Sequence, residues 1–544
     1  MSRILNREAG LARLRAEEFD LAVIGGGING AAIARDAAMR GLAVALIERG
    51  DFAGATSSRS SKLIHGGLRY LPQFQFKLVR SALRERERLR RLTAPHLVRP
   101  ARFLFPIYRG RGAGRLAMAI GLSLYDIFAR TPRAERHHSL SAAAALALEP
   151  ALASAGLTGG ATYYDAWADD ARVTFENILD ADLHGAAIAN YAGVEGFVRA
   201  GGRIAAAGVR DSIGGGTFEL RAKVFVNAAG PWIDEIRRMD DPGARPSVRL
   251  TKGVHLVFPR AAMPVREWLV LGAAGGRIVF AMPHERYVLA GTTDTDYAGD
   301  PAAVAAEPAD VGYLLQVLAE SLPGIKLKPE QVATSFAGLR ALIRTDNGAN
   351  APSSVPREEV IVESASGLIA IAGGKLTTHR EIAERVAGLV LARLGRPAGR
   401  CPTLDTPLPG ARPPEIDGQR ADDEAVMASL PEESRAILIA RHGTRAAIVA
   451  RVAAERPELA NPLAPGCGAI GAEAAYAARA EMAQSLEDFI VRRASISWRW
   501  PGEAIAAAPI AAKIMAAELG WDAARERDEV ERFTRGQIAR RAAT

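Results

Sequence analysis

The hydrophobic pattern changes character several times along the chain. A short, charged and basic leader precedes residues 19–24, an almost continuous apolar run that predicts a strand buried on both faces of a parallel sheet. Residues 28–40 place small and apolar side chains at helical spacing and predict a helix; residues 42–47 predict a second buried strand. Residues 75–92 predict a long, highly charged helix. Further strands are predicted at 203–207, 218–222 and 224–227. Residues 254–258, 277–281 and 287–290 read as antiparallel strands, with Gly275-Gly276 as a hairpin turn. Another buried strand, 368–372, runs into Gly373-Gly374. From 395 to 419 the chain is rich in Pro, Gly and Arg, including Pro402, Pro407, Pro413 and Pro414, and reads as a linker. Beyond it Ala, Arg and Glu recur at helical spacing with few strand signals, which predicts a separate helical domain. No repeat of solenoid period is present.

The turn between the first strand and the first helix reads Gly25-Gly26-Gly27-Ile28-Asn29-Gly30, a G-x-G-x-x-G pattern. Gly25 permits the tight turn, Gly27 lets a pyrophosphate approach the backbone, and Gly30 allows close packing of helix on strand. The helix N-terminus would then receive the pyrophosphate, where N–H groups and the dipole favour negative charge. Glu48 ends the second strand, 18 residues past Gly30, close to the ~20 expected of the acid that accepts ribose hydroxyls. The motif in this context points to a dinucleotide and leaves FAD and NAD open. No second such motif lies between a strand and a helix, and Gly214-Gly215-Gly216 reads as a hairpin. One dinucleotide and no separate nicotinamide site are therefore expected.

Composition bounds the possibilities. A chain of 544 residues is too long for one compact core, so two or three domains are expected. With 49% apolar and 24% charged residues it is an ordinary globular composition, which argues against wholesale disorder. The formal charge is +8, and only eight of the 69 basic residues are lysine. The bulk charge reads as compositional bias toward arginine, and function is reserved for specific positions. Cys401 and Cys467 are the only cysteines, whereas a cysteine-ligated iron–sulfur cluster takes about four thiolates. Neither HExxH nor paired zinc spacing occurs, and no metal is expected. Residues 1–18 lack the apolar core of a signal peptide. The apolar stretch 116–129 is interrupted by Ser123 and Asp126 and is shorter than the ~20 residues of a membrane span. The expectation is a cytoplasmic protein, or one lying on a membrane without crossing it.

The stretch Thr56-Ser57-Ser58-Arg59-Ser60-Ser61-Lys62-Leu63-Ile64-His65-Gly66-Gly67-Leu68-Arg69-Tyr70 closely resembles the signature of the FAD-dependent glycerol-3-phosphate dehydrogenases. Asn227-Ala228-Ala229-Gly230-Pro231-Trp232 resembles that family's second FAD-contacting turn. Gly291-Thr292-Thr293-Asp294 and Gly373-Gly374-Lys375-Leu376-Thr377-Thr378 resemble two further blocks. The resemblance is dense to Arg380 and weaker after the linker. It departs at Arg340-Ala341, where the family usually has Arg-Pro, and this bears on the local turn and the aim of Arg340. The resemblance implies an α/β fold similar to the D-amino-acid oxidases: a Rossmann-like FAD-binding domain interleaved with a mixed or antiparallel-sheet substrate domain, followed by a C-terminal α-helical domain. On that reading residues 1–400 form the oxidoreductase region. Its FAD-binding parts are about 15–90, 185–240 and 350–400, its substrate parts about 91–184 and 241–349, and 405–544 is the helical domain.

The resemblance also implies an activity. Glycerol 3-phosphate would be oxidised to dihydroxyacetone phosphate by hydride transfer to FAD, and electrons would pass to a quinone at the inner face of the cytoplasmic membrane. The absence of cluster cysteines favours the aerobic, single-chain, quinone-linked type. A homodimer is admitted; a nucleic-acid partner is not expected. His255, on a strand expected to line the substrate side, is the candidate base, since imidazole has a suitable pKa; a satisfied sheet histidine is the alternative. A phosphate dianion calls for paired cations. The candidates are Arg69, Arg340 and Lys375, with Tyr70 and Thr377 as hydroxyl donors. The cofactor candidates are Gly25, Gly27, Ile28, Asn29, Gly30 and Glu48, then Thr56, Ser57, Ser60, Ser61 and Lys62. His65, Gly66 and Gly67 follow, with Ala229, Gly230 and Trp232 from the second turn and Gly374, Lys375, Leu376 and Thr377 from the last block. The basic run within 77–92 reads as a solvated face or a lipid contact. An oxidase on the same fold using oxygen, an amine or amino-acid oxidase, and a non-catalytic FAD-stabilised binding protein remain as alternatives.

Overall fold

The computed structural model describes residues 5–110, 112, 114–273, 276–344, 359–413 and 417–542; within these, nothing is described of the side chains at 69, 72, 417–421 and 542. Gly275 lies outside the described residues, as does the side chain of Arg69.

The apolar run at the start becomes the strand Glu18–Ile24, buried along all but its first residue. It pairs in parallel with Val44–Ile47 on one side and with Thr217–Asn227 on the other. The eight-stranded sheet continues from these three strands to Ile369–Ala372 on one flank and Ala187–Ala189 on the other. The segments 218–222 and 224–227, predicted as two strands, are one continuous strand, Thr217–Asn227. Its first half pairs antiparallel with Arg203–Asp211 and its second half joins the parallel core. Helix Ile28–Met39, with Asp170–Leu183 and His379–Arg393 against it, covers one face. Ile33, Phe175, Ile178, Ile371, Ile382 and Val386 fill the contact.

A second sheet, ten-stranded and mostly antiparallel, stands beside the first. Its centre is the strand Val248–Pro259, paired antiparallel to Thr334–Ile343 and to Tyr287–Gly291. The long pair Val98–Tyr108 and Leu157–Ala168 extends it. Sequence patterning missed this pair and Thr334–Ile343: Gly, Ala, Pro and polar residues break their alternation, and the partner strands supply the order. The chain passes between the sheets near two points: Leu63–Ile64 pairs with Leu157–Ala168, while Asp170–Leu183 returns to the first sheet.

The charged helix is shorter than expected, Phe76–Arg88, and continues as a π-turn, Leu89–Thr93. Most of its basic run is committed internally. Arg86 is buried against Asp165 at 2.7 Å, Arg88 pairs with Glu85, and Arg90 and Arg91 share Glu87. Residues 395–413 are not a loose linker: Leu408 N–H donates to the Thr93 carbonyl, Thr403 Oγ1 donates to Asp36, and Cys401 and Leu408 are buried.

The C-terminal region is helical, with Glu432–His442, Ala446–Glu455, Gly471–Ala480 and Ala504–Leu519 around alanine-rich cores. It is fastened to the first sheet by buried charge. Asp51, at the end of the loop that follows Val44–Ile47, accepts from Arg492 at 2.6 Å and from Arg493 at 2.8 and 2.9 Å. Asp488 holds Arg492 from the other side at 2.6 Å. Breaking one partner of such a set strands a charge, at about 3–5 kcal/mol.

Candidate active site

A cavity of about 680 Å³ lies where the parallel sheet, the antiparallel sheet and the helical region meet. One end is the glycine turn. Gly25 has φ +113°, and a β-carbon there would stand 2.6 Å from the Ala228 carbonyl oxygen, so glycine is required. A β-carbon at Gly30 would collide with the Gly25 carbonyl; Gly30 therefore does not line the cavity but lets the helix close onto the turn. Gly27, Ile28 and Asn29 line the wall at the helix N-terminus. The Ile28 N–H donates to Ser57 Oγ at 2.9 Å, so the serine block caps this helix from across the cavity. Glu48 accepts from the Gly26 and Gly50 N–H groups at 2.7 and 2.9 Å, and burial pushes its carboxyl up. Ala229, Gly230 and Trp232 line the opposite lip, where the Arg49 guanidinium stacks 4.2 Å from the Trp232 ring.

The serine block crosses the cavity floor. Thr56 Oγ1 donates to the Leu339 carbonyl at 2.6 Å, tying the block to the second sheet. Ser60 donates through N–H and Oγ to Asp170 at 3.1 and 2.6 Å. Lys62 corrects the sequence expectation. Its ammonium points away from the cavity and is buried between Asp170 Oδ1 and the Ser58 carbonyl, each 2.6 Å away. A lysine amid serines looked like a cofactor contact; the buried carboxylate of Asp170, distant in sequence, claims it. Gly66 and Gly67 likewise lie behind the wall, with Gly66 N–H on Tyr125 Oη at 2.8 Å. His65 lines the cavity, and its N–H donates to Thr377 Oγ1 at 3.2 Å.

The other end is built on the central strands of the second sheet. His255 and Gly291 are register partners, as are Thr251 and Arg340. His255 Nε2 lies 2.8 Å from Ser61 Oγ, and its ring stacks on Phe336 with centroids 5.0 Å apart. Burial, with Arg340 and Lys62 nearby, pushes this imidazole down to about 3. It is thus neutral near pH 7. Arg340 donates to Asp294 Oδ1 at 3.2 Å, to Thr292 Oγ1 at 3.0 Å and to the Thr293 carbonyl at 3.3 Å. With Ala341 in place of proline the strand Thr334–Ile343 runs on unbroken, and Arg340 faces the cavity. Gly374, Lys375, Leu376 and Thr377 close the site. The Lys375 ammonium sits 4.0 Å from the centre of the Tyr70 ring, so Tyr70 lies behind that lysine and not on the cavity wall.

Sequence reasoning missed several lining residues. Thr292 and Asp294 belong to a block singled out in sequence but given no role; their spacing to Arg340 exists only through strand pairing. Arg59 sits inside the serine block, and Glu487 and Arg492 come from the helical region, which sequence treated as separate. Lys252, whose position in a block hinted at chemistry, instead pairs with Glu307 and Asp310 at 2.7 Å each. Among the described residues no cluster of three or more His, Cys, Asp and Glu side chains could hold a metal ion.

Residues 20–380 match the family model described as "FAD dependent oxidoreductase". The chain belongs to that family. Residues 401–526 match a second model, "C-terminal domain of alpha-glycerophosphate oxidase". The FAD-dependent oxidoreductase is 39% identical over 530 residues to "Glycerol-3-phosphate dehydrogenase 2" of Mycobacterium tuberculosis, covering 97% of this chain and 89% of the relative. It is 36% identical over 502 residues to "Aerobic glycerol-3-phosphate dehydrogenase" of Bacillus subtilis, covering 90% and 89%. The glycerol-3-phosphate dehydrogenase of Bacillus halodurans, solved with FAD, superposes with a TM-score of 0.78 at 30% identity, covering 99% of this chain and 97% of that one. The family's cofactor fits the site on this chain's own geometry. The glycine turn, the helix N-terminus and Glu48 form one end of a cavity of about 680 Å³, and Asn29 Oδ1 is buried there without a hydrogen-bond partner.

Proposed function

We propose that this oxidoreductase converts sn-glycerol 3-phosphate to dihydroxyacetone phosphate and delivers the electrons to a quinone at a membrane surface. The observation that carries the reading is a neutral imidazole, His255, and an arginine fork, Arg340, side by side on one cavity with the glycine turn at its far end. The names borne by relatives at 35–39% identity support it.

Bound FAD supplies the hydride acceptor. The residues do the rest. The proton of the secondary alcohol passes to Ser61 Oγ as Ser61 gives its own proton to His255 Nε2, 2.8 Å away, so that His255 is the base and Ser61 the relay. Arg340, pre-oriented by Asp294, Thr292 and the Thr293 carbonyl, receives the phosphate with Lys375 as second cation and Thr377 as a hydroxyl partner. A dianion beside Arg340 offsets the positive neighbours of His255 and raises its affinity for the proton in the bound complex. The test is anaerobic bleaching of the yellow holoprotein by a panel of alcohols, phosphorylated alcohols and amines. Bleaching by glycerol 3-phosphate alone is expected; bleaching by amines or amino acids instead overturns the reading.

Among the described residues no helix is long and apolar enough to cross a membrane. A surface patch supports peripheral contact. Phe74, Leu116, Ile120 and Ile127 are 78%, 77%, 56% and 67% exposed, an unusual density of bare apolar side chains. The rings of Phe74, Phe76 and Phe128 join the two segments into one surface, with Lys77, Arg80, Arg84 and Arg115 exposed on the same helices. An apolar patch with basic neighbours suits an anionic lipid interface. Phe74→Ser with Leu116→Ser should lower co-sedimentation with phosphatidylglycerol vesicles while leaving the bleaching reaction intact; unchanged co-sedimentation counts against this surface. The match of 401–526 to an oxidase domain keeps oxygen as the alternative acceptor, and hydrogen peroxide formed per turnover separates the two.

A further inference from the structure

The phosphate-directed residues considered so far come from the strand Thr334–Ile343 and from the turn after Ile369–Ala372, yet the helical region also reaches the cavity, through Glu487 and Arg492. Between them and the sheets lies Arg59. Its main chain fills the space over Gly338: a β-carbon at Gly338 would come 2.5 Å from the Arg59 carbonyl oxygen. Positions 338 and 340 share one face of the strand Thr334–Ile343, so Arg59 flanks Arg340 on the cavity side.

The electrostatics of Arg59 differ from those of its neighbours. Arg492 is held by Asp51 and Asp488 at 2.6 Å each, and Arg540 by Glu487 at 2.6 Å. Arg59 comes within ion-pairing distance of no carboxylate among the described residues. Glu487 is the carboxylate that bears on it most, and Glu487 is already shared between Arg540 and, at 3.9 Å, Arg492. Burial, with Arg540 and Arg492 opposing Glu487, draws the Arg59 guanidinium down to about 10. A half-buried guanidinium that lines a cavity without a carboxylate partner is free to take an anion there, and a guanidinium fork matches phosphoryl oxygens bidentately.

We propose that Arg59 is a further anion-binding residue of this site, reaching a phosphoryl group of a ligand in the cavity, and that Glu487 of the helical region tempers its strength. The inference rests on the reading that the cavity holds phosphoryl-bearing ligands. Two sources share that chemistry: the pyrophosphate of FAD and the phosphate of the substrate. The helical region is then part of the site. The buried Asp51–Arg492–Arg493 set keeps Glu487 in place, so docking of that region sets the field in which the anion binds.

The test uses the full-length protein and three variants, Arg59→Gln, Arg59→Lys and Glu487→Gln, with two readouts. The first is the dissociation constant for FAD, from flavin fluorescence on reconstituting stripped protein. The second is KM for glycerol 3-phosphate with FAD saturating. Loss of one charged hydrogen-bonding partner should weaken the relevant constant by about 10- to 100-fold in Arg59→Gln, with partial recovery in Arg59→Lys. A rise in the FAD constant assigns the pyrophosphate; a rise in KM alone assigns the substrate phosphate. Glu487→Gln removes the competing carboxylate and should tighten the same constant. This opposite sign is one that damage to the fold does not produce. Both constants staying within about two-fold in Arg59→Gln, or weakening in Glu487→Gln, overturns the proposal. Bleaching by glycerol 3-phosphate is scored separately and can fail or succeed without either result.

Discussion

The two ends of the cavity present different kinds of surface. At the glycine turn the wall is main chain: Gly25, Gly27 and the first N–H groups of Ile28–Met39, positioned by a contiguous stretch of sequence. At the other end the wall is side chain: His255, Ser61, Arg340 and Asp294, drawn from segments up to 279 positions apart, with His255 and Arg340 aligned by strand register and Ser61 and Asp294 brought to them from loops by hydrogen bonds. The first end tolerates almost any residue that keeps the backbone path, but at Gly25 and Gly30 none that adds a β-carbon. The second tolerates changes of shape poorly and changes of charge hardly at all. Binding of a cofactor and turnover of a substrate should therefore fail separately.

Gly30→Leu should disable the main-chain end. The added side chain has no space over the Gly25 carbonyl, so helix and turn must separate. Overpacking of about 1–3 kcal/mol at a site where the backbone is itself the ligand should weaken FAD binding by about 10- to 100-fold or more. The purified protein should be colourless near 450 nm. Normal flavin content would refute a backbone-built pole. His255→Asn should do the converse. Flavin content should stay near stoichiometric while turnover falls by about 10²–10⁴-fold, the range for loss of a general base. A near-normal rate in that variant would reduce His255 to a packing residue stacked on Phe336.

This division also explains what could be read from the chain alone. The glycine turn, Glu48 and the first strand–helix–strand unit are local: spacing and apolar runs determine them, and the structure places them as a unit. The helical character of the C-terminal region was legible from periodicity. Its contribution to the cavity was not, because Asp51 with Arg492 and Arg493 is a contact between residues more than 400 positions apart. Lys62 shows the same limit from the other side. Its neighbours in sequence suggested a ligand contact, whereas its neighbour in space, Asp170, holds it in an ion pair. Tyr70 was expected as a hydroxyl donor and instead offers the face of its ring to Lys375.

Arg340→Lys probes the second end more gently. Charge is kept, but the fork that engages Asp294, Thr292 and the Thr293 carbonyl is lost. A flexible ammonium is not pre-oriented for a phosphate. KM for the phosphorylated substrate should rise by about 10- to 100-fold, equivalent to about 1.4–2.7 kcal/mol, with FAD affinity unchanged. An equal loss of both would show that the two ends are one coupled unit and that the comparison drawn above is wrong.

The smallest expected effect concerns acid. The side-chain end of the molecule is also where buried histidines gather on the second sheet: burial, with positive neighbours, holds both His255 and His284 down to about 3. An unfolded chain binds these protons near the ordinary imidazole value of about 6.5. Between those limits the unfolded state carries more protons than the folded one. The stability these groups contribute is therefore present above about pH 6.5 and is lost as the pH falls toward 3. Each should add about 1.4 kcal/mol per pH unit to the slope within that window. Urea melts at pH 7.5, 6 and 5 measure it, and His284→Asn should make the curve shallower by about one such increment. His284 is packed among Trp167, Trp268 and Trp498, away from the cavity. That variant should therefore change acid tolerance without changing KM, whereas His255→Asn changes both tolerance and turnover. If the two variants left the slope untouched, the neutral state of these imidazoles would not be something the folded protein enforces.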